Sequence, residues 1–360
     1  MRLGLAFNQK PTTGDHDRAV VLPVDLTSTH PSDAFVEWDD SATIDAVEHA
    51  LSAFGPVVRL EATGDFPERL ARANVDLLFN MAEGGQGPNR ESHVPAIAEF
   101  LGIPYTASDP LTLALALHKG RAKEIFQSRG IPTAPFVMVT SPTDAERLRT
   151  ALHFPLFLKP VWEGSSMGIT GDNRVDAADE AVERARDILA TYRQPVLAET
   201  YLPGDEFTVA VLGNGAETHA LPLIRYRFDN LPTDALPIMG HEAKWVWDDP
   251  TAPLDLLECP ALVPNDMRDR IVSIAVAAYG ALGCRDWGRV DVRLDGNGTP
   301  HVIEVNPLPG VIPDAAENSC FPRAAATAGI AYDELIQRVV RIAWLRATGA
   351  DLPRILAEAS

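Results

Sequence analysis

The stretch VDVRLDGNGTPHVIEVNPLPG, residues 290–310, is typical of two β-strands joined by a tight turn at Asp-Gly-Asn-Gly. Asp291, Glu304 and Asn306 stand where a strand buried in an apolar core would carry Val or Ile. Oxygen-bearing side chains at such positions indicate a site on this part of the fold.

The turn determines which residues of the two strands lie opposite one another. A two-residue turn at Gly-Asn, or a four-residue loop around it, pairs Arg289 with Glu304. Because side chains repeat every two residues along a strand, Arg289, Asp291, Glu304 and Asn306 are expected on one face. Three hard oxygen ligands beside a guanidinium predict a Mg²⁺ or Mn²⁺ site that also holds an anion. The alternative is a solvated strand face with a salt bridge.

Length and composition favour a soluble protein of two or three domains. The 360 residues are 46% hydrophobic and 22% charged. The net charge of −19 disfavours nucleic-acid binding. No run of about 18 apolar residues and no secretory signal is found, which predicts no membrane span and a cytoplasmic location. The three cysteines form neither a disulfide framework nor a paired metal motif, and we expect reduced thiols.

The first third of the chain alternates short strands with helices, which predicts an open parallel sheet. The predicted strands are RLGLAF (2–7), VVRLEA (57–62) and VDLLFN (75–80), and the helices are TIDAVEHALSAFG (43–55) and SHVPAIAEFLG (92–102).

The remainder is expected to form two further units. A helix over LTLALALHKGRAKEIFQSRG, residues 111–130, leads into a smaller α/β unit, and a mostly antiparallel section follows. It closes with a C-terminal helix around YDELIQRVVRIAWLRATG. The predicted domains are therefore residues 1–118, 119–198 and 199–360.

Two other segments carry candidate binding residues. In LFLKPVWEGSSMGIT, a strand delivers Lys159 to a loop whose backbone amides and Ser165 and Ser166 hydroxyls suit phosphate oxygens. This is not a P-loop, since the lysine precedes the glycines. In VLAETYLPGDEFTVAVL, Glu199 and Glu206 flank a turn between two strands. The alternatives are a surface lysine beside an ordinary turn and charged loop residues.

Several blocks together resemble the D-alanine–D-alanine ligases of the ATP-grasp superfamily. They occur in family order between about residues 75 and 310 and are LGIPYTASDPLTLALALHKGRAKEIFQSRGIPTAPF, FLKPVWEGSSMG, ETYLPGDEFTVAVLG, HEAKW and GRVDVRLDGNGTPHVIEVNPLPG. The resemblance implies a three-domain ATP-grasp fold, with ATP held between two domains. It also implies amino-acid or carboxylate substrates, a possible homodimer, and peptide-bond formation for cell-wall biogenesis.

The resemblance also implies a role for each matched residue. For the nucleotide, Lys119 and Lys159 would contact the α- and β-phosphates, Lys244 the γ-phosphate, Glu199 and Leu202 the adenine, and Glu206 the ribose. For the metal, Asp291, Glu304 and Asn306 would bind two Mg²⁺ ions. For the reaction, Arg289 would stabilise the oxyanion and Ser165 would position substrate. A mobile cover is expected from EGSSMG (163–168) and residues 225–245.

The sequence departs from the family pattern mainly where the amino acids would bind. The early E-x-x-V-S motif is absent, and AEGGQGPNRES (82–92) replaces HG-x-x-G-E-D-G. Thr200 and Trp245 replace a Lys and a Tyr. The acceptor-carboxylate residues fall on Asp314 to Ala316, where an acidic side chain would repel a carboxylate.

The predicted activity is ATP-dependent carboxylate–amine ligation through an acyl phosphate, with D-alanine–D-alanine ligation as the first choice. One alternative is a ligase that joins other amino acids or a specialised metabolite acid. Another is a nucleotide-binding regulator without turnover. An oxidoreductase is disfavoured, because no G-x-G-x-x-G follows RLGLAF.

Overall fold

The fold is taken from a computed structural model, which describes residues 1–11, 35–85, 87–245, 247, 254–313 and 319–352, with the backbone alone at Trp245. Apart from Gln86 and the side chain of Trp245, two of the departures from the family pattern lie wholly or partly outside these ranges. They are the acceptor positions 314–316 and most of the polar segment after the first strand, where the E-x-x-V-S motif is missing.

The N-terminal part forms the parallel sheet that the sequence predicts. Strands β1 (Leu3–Phe7), β2 (Val57–Glu61) and β3 (Leu77–Asn80) pair in the order β2-β1-β3. Helices α1 (Ser41–Ser52), α2 (Phe66–Ala73) and α3 (His93–Phe100) follow the strands. Asp40 caps α1 by accepting from the Thr43 backbone amide at 2.7 Å. Apolar residues cover both faces of this sheet.

The single helix predicted over residues 111–130 is wrong in one respect, because the structure divides it. Helix α4 (Pro110–Leu117) ends at His118, whose backbone is non-helical (φ −84°, ψ 84°), and α5 (Lys119–Ser128) starts at the next residue. The His118 ring accepts from the Arg121 amide at 3.3 Å and so caps α5. The break places Lys119 in the first turn of a new helix.

The central part is a four-stranded antiparallel sheet. Strands β4 (Phe136–Val139), β5 (Leu156–Pro160), β6 (Arg174–Val175) and β7 (Val196–Thr200) pair in the order β4-β7-β5-β6. Helices α6 (Leu148–Ala151) and α7 (Ala178–Tyr192) pack on it through an apolar cluster. The predicted boundary at 198 falls inside β7, and the domain limits remain predictions.

The C-terminal part contains a six-stranded sheet of antiparallel pairs, as expected. Its strands are β8 (Glu206–Leu212), β9 (His219–Ala220), β10 (Ile224–Tyr226), β11 (Leu257–Glu258), β12 (Trp287–Leu294) and β13 (Pro300–Asn306). The order is β11-β10-β8-β12-β13, with β9 on β8. Helices α8 (His241–Trp245), α9 (Asn265–Leu282), α10 (Cys320–Thr327) and α11 (Tyr332–Thr348) complete it.

The hairpin of β12 and β13 does not have the predicted register. Five residues, 295–299, separate the strands, and Arg289 lies opposite Asn306 instead of Glu304. The register also shifts next to Asp291, which pairs with Glu304 while Val292 pairs with Val302. Ile303 is therefore an extra residue, a β-bulge of the kind found beside functional sites.

Two further findings concern the described helices and the cysteines. No helix among the described residues is long and apolar enough to cross a membrane. Cys259, Cys284 and Cys320 are all free thiols, and the last two are buried. The cytoplasmic location itself remains a prediction.

Candidate active site

The bulge at Ile303 brings four polar side chains of β12 and β13 to one face. Arg289 donates to both carboxylate oxygens of Asp291, at 3.1 and 2.9 Å. The amide nitrogen of Asn306 donates to Asp291 at 3.2 Å and to Glu304 at 3.5 Å. The shared face predicted for these residues is therefore confirmed, although the register was wrong.

The opposite face of the same hairpin explains why these strands are fixed in place. Val290, Val292, Val302 and Val305 are fully or almost fully buried in a cluster that includes residues of α9. Val302 and Val305 are three residues apart, and both reach this core because the bulge shifts the alternation. The polar face thus stands on a packed apolar layer.

Lys119 ties the start of α5 to this polar face. Its ammonium lies 3.3 Å from a Glu304 oxygen and also donates to the backbone carbonyl of Glu163. Burial alone would raise the pKa of Glu304, but the cationic groups around it, Lys119 foremost, lower that pKa to about 2. The Glu304 carboxylate is therefore ionised at neutral pH.

A second group of charges joins the central sheet to α5. Glu199 on β7 lies 2.7 Å from the Lys159 ammonium and 2.8 Å from that of Lys123. All three side chains are at least nine-tenths buried. Burial would raise the pKa of Glu199, yet the two lysines hold that pKa down at about 2. The group is a buried ion triad.

Arg293 organises the segment between β7 and β8. It donates to the Leu202 carbonyl at 2.6 Å, to the Glu206 carboxylate at 2.6 Å and to the Tyr201 hydroxyl at 3.3 Å. A fourth bond reaches the carbonyl of Pro237 at 2.7 Å. Arg293 thereby fixes two of the predicted nucleotide-binding residues, Leu202 and Glu206.

These groups line a cavity of about 850 Å³, here called the first cavity. Its walls come from the central and C-terminal sheets and from α5 and α8. They include the predicted residues Lys159, Ser166, Glu199, Leu202, Glu206, Lys244, Asp291 and Glu304, together with Lys123 and Arg293. A lining that brings several cations together suits a polyphosphate nucleotide.

A second cavity, of about 1170 Å³, adjoins the first. It is lined by Arg289, Asn306, Lys119 and Ser165, by the loop 307–312 and by acidic residues of the N-terminal part. Gly164, Lys244 and Glu304 line both cavities. The predicted site residues are thus distributed over two adjacent spaces that share a wall.

The Gly/Ser loop and the segment before α8 contact each other above the cavities. The Ser166 hydroxyl donates to the Met239 carbonyl at 2.7 Å, and the His241 amide donates to the Ile169 carbonyl at 2.8 Å. Ser165 and Ser166 both have positive φ, 45° and 64°, which is a strained backbone of the kind that persists at ligand clamps. The two segments expected to form the cover therefore meet.

Two charged residues of the first cavity were missed in the sequence. Lys123 lies four residues after Lys119, so both project from one side of α5. Arg293 continues the two-residue alternation of Arg289 and Asp291 along β12. The spacing of Lys123 from Lys119, and of Arg293 from Asp291, could therefore have identified both residues from the sequence.

No group of three or more His, Cys, Asp or Glu side chains among the described residues could hold a metal ion by itself. Asp291 and Glu304 supply two carboxylates, and Asn306 supplies one amide. Mg²⁺ commonly takes one or two carboxylates and completes its shell with phosphate oxygens and water. The donor set fits an ion that arrives with a nucleotide.

The three sheets, with a cavity lined by both lysines and carboxylates between the last two, define an ATP-grasp fold. The D-alanine–D-alanine ligase from Bacillus anthracis has this fold, both free and complexed with ATP; the two structures align with TM-scores of 0.69 and 0.68 at 22% and 20% identity, over 97% of this chain and 99% of theirs.

Sequence comparison gives the family. The family described as D-ala D-ala ligase C-terminus matches residues 125–341. The D-alanine–D-alanine ligase of Cupriavidus taiwanensis is 35% identical over 77% of this chain and 78% of its own length. That of Actinobacillus pleuropneumoniae serotype 5b is 34% identical over 82% and 90%. An uncharacterized protein, y4sG of Sinorhizobium fredii, is 35% identical over 79% of each chain. The chain belongs to the D-alanine–D-alanine ligase family of ATP-dependent ligases.

Proposed function

We propose that this protein joins two molecules of D-alanine at the expense of ATP. The carboxylate of the first is phosphorylated to an acyl phosphate, and the amine of the second attacks that carbonyl and expels phosphate. The relatives from Cupriavidus and Actinobacillus carry this activity in their names.

The observation that carries the proposal is the wall shared by the two cavities. Lys244 and Glu304 line both of them, and Arg289 opens into the second only. A nucleotide in the first cavity would place its terminal phosphate next to a carboxylate in the second. Such proximity turns a bimolecular encounter into a local transfer.

The cations of the shared wall reduce the repulsion between the two negatively charged reacting groups, which is the main physical obstacle to the reaction. Carboxylate and phosphate repel each other, by about 1 kcal/mol per pair of unit charges at 4 Å in water and about 4 kcal/mol at an effective dielectric near 20. Lys119, Lys244 and Arg289 offset this repulsion with charges that are already in place. Arg289 would then stabilise the oxyanion that forms when the amine attacks.

Asp291, Glu304 and Asn306 would hold the divalent cation. Bound Mg²⁺ neutralises phosphate charge and polarises the transferring phosphoryl group. Burial, with Arg289 as the next influence, lowers the pKa of Lys244. The contacting loops over Ser166 and Met239 would keep water from the acyl phosphate.

The test is the amino-acid dependence of phosphate release. Purified protein with ATP, Mg²⁺ and D-alanine should release phosphate well above the rate without D-alanine, and mass spectrometry should detect the dipeptide. Phosphate release with another amino acid alone would assign a different ligase specificity. Binding of ATP without phosphate release for any amino acid would favour the non-catalytic regulator.

A further inference from the structure

Arg90, in the segment between β3 and α3, connects the N-terminal part of the fold to the Gly/Ser loop of the central part. Its side chain is buried and lines neither cavity. It donates to both oxygens of Glu37, at 2.8 and 2.9 Å from one nitrogen and 3.1 Å from another. The third nitrogen donates to the carbonyl of Trp162 at 2.7 Å, and an oxygen of Glu163 lies 3.8 Å from the guanidinium. This set of contacts is here called the Arg90 link.

The N-terminal side of the Arg90 link is fixed to the parallel sheet. Asn8, which follows β1, accepts from the Gly84 amide at 2.8 Å, and the Trp38 indole donates to the Gly84 carbonyl at 3.2 Å. Gly84 has a φ of 81° and packs so closely on Arg90 that a Cβ would overlap the backbone carbonyl of that residue. The Arg90 side chain therefore extends from a firmly held loop.

The central side of the link is fixed as well. Gln194, shortly before β7, accepts from the Trp162 amide at 2.7 Å and donates to the Glu163 carboxylate at 2.5 Å. Gly164 comes next, and a Cβ at this position would overlap the Glu37 carboxylate. Residues 162–164, here called the loop base, are thus held to the central sheet and pack directly against the N-terminal part.

The loop base is connected to residues that the reaction would use. Lys119 donates to the Glu163 carbonyl and lies 3.3 Å from an oxygen of Glu304 in the shared wall. Ser165 and Ser166 follow the loop base and line the second and the first cavity, respectively. A displacement of the loop base would therefore change the positions of Lys119 and of both serines.

The charges of the link favour the closed arrangement of the two parts. Burial opposes the charge of Arg90, but the carboxylates of Glu37 and Glu163 raise the pKa of Arg90 above its ordinary value. The side chains of Arg90 and Glu37 are only 7% and 10% exposed. Separating such a pair leaves uncompensated charges in a desolvated position, which is strongly unfavourable. The pair therefore holds the loop base against the N-terminal part.

We propose that Arg90 is a positioning residue for ligation, which keeps the loop base closed over the second cavity while the acyl phosphate exists. With the link intact, the amine and not water reaches the activated carbonyl. Without it, water takes the place of the amine, the bond between the carbonyl carbon and the phosphate oxygen breaks, and D-alanine and phosphate leave without a dipeptide. This inference rests on the proposed function and adds to it a residue that couples ATP use to peptide-bond formation.

The experiment measures the phosphate released per dipeptide formed, with ATP, Mg²⁺ and D-alanine. The wild type should give a ratio close to one. Arg90→Gln should raise this ratio about twofold or more and lower kcat for dipeptide formation about tenfold, as expected for lost charged hydrogen bonds. Arg90→Lys keeps the charge and should give values between the two. A ratio that stays close to one in Arg90→Gln would overturn the proposal, whatever the change in kcat.

Arg72→Gln is the matched control. Arg72 is an exposed arginine of α2 that pairs with Glu68 at 3.3 Å and lines neither cavity. Its substitution should leave both the ratio and kcat unchanged. If circular dichroism shows that Arg90→Gln does not fold, Glu37→Gln removes the charge on the other side of the link and is judged by the same criterion.

Hydrogen exchange separates failure of the link from failure of the proposed function. If the wild type forms no dipeptide from D-alanine, the proposed function fails and the ratio has no meaning. Amide exchange of residues 161–168 is then compared between the wild type and Arg90→Gln by mass spectrometry. Exchange about tenfold faster in the variant, with that of β1 unchanged, would support the link, because the loop base would open more often. Equal exchange rates would overturn it.

Discussion

The two cavities share one wall but differ in how their charges are balanced. In the first, Glu199 has two lysine partners and Glu206 has Arg293. In the second, Glu83 and Glu91 have no cationic partner at hydrogen-bond distance among the described residues. Carboxylates of the first cavity are thus paired within the protein before any ligand binds, whereas two carboxylates of the second cavity form no ion pair among the described residues.

The difference indicates how each cavity recognises its ligand. Ion pairs within the first cavity hold lysines and carboxylates in a fixed arrangement that suits phosphates and a metal ion. Buried carboxylates without an ion pair in the second cavity are costly to ionise, and burial raises the pKa of both Glu83 and Glu91. Single substitutions can therefore change the first cavity, the second cavity or their shared wall separately.

The largest effect is expected at the shared wall. Glu304→Gln removes the charge that faces Lys119 and, in our proposal, the metal ion. We expect kcat for ligation to fall about 10²- to 10³-fold, as when one preorganised electrostatic contact is lost. Steady-state phosphate release measures this, with circular dichroism to confirm the fold. Wild-type turnover in the variant would contradict the role of Glu304.

A smaller and more selective effect is expected in the first cavity. Lys159→Ala should raise the Kd for ATP about tenfold or more, because it removes a charged contact to phosphate. The KM for D-alanine should change little. Calorimetric titration with ATP measures the first value, and Arg129→Ala, at the exposed end of α5, is the control. An unchanged Kd for ATP would show that Lys159 does not contact the phosphates.

The smallest expected effect is a pH-dependent change in the free energy of unfolding. The pKa of Glu199, about 2 in the fold against an ordinary 4.5, means that its contribution to stability is complete above about pH 4.5 and is lost as the pH falls toward 2. Glu199→Gln should therefore lower the free energy of unfolding by about 3 kcal/mol at pH 6. The difference should shrink on acidification. Urea titrations across this range measure it, and a constant difference would contradict the ion triad.

The hairpin shows how much the sequence could predict and why the rest failed. The shared face of Arg289, Asp291, Glu304 and Asn306 was predicted correctly, but with a four-residue loop and no bulge. The true loop has one residue more, and the bulge adds another. The two errors cancel, because side chains return to the same face after two residues. Val302 and Val305, both apolar and three residues apart, were the available signal for the bulge.

The position of Glu37, Glu83 and Glu91 in the lining of the second cavity could not be predicted from local sequence patterns. Glu37 precedes α1, whereas Glu83 and Glu91 lie in the loop after β3, and only the tertiary fold brings the two segments to one cavity. Arg90 forms its ion pair with Glu37 and not with Glu83 or Glu91, and residue spacing does not reveal this choice. Tertiary packing determines which carboxylates meet in the second cavity, whereas the alternation of side chains along strands determines which residues share the face of β12 and β13.

The central claim is that the face of β12 and β13 holds a divalent cation against the nucleotide. A crystal grown with ADP and Mn²⁺, measured at the manganese absorption edge, tests it directly. The account predicts anomalous density between Asp291, Glu304, Asn306 and the phosphates in the first cavity. Density elsewhere, with these three side chains contacting no cation, would contradict it.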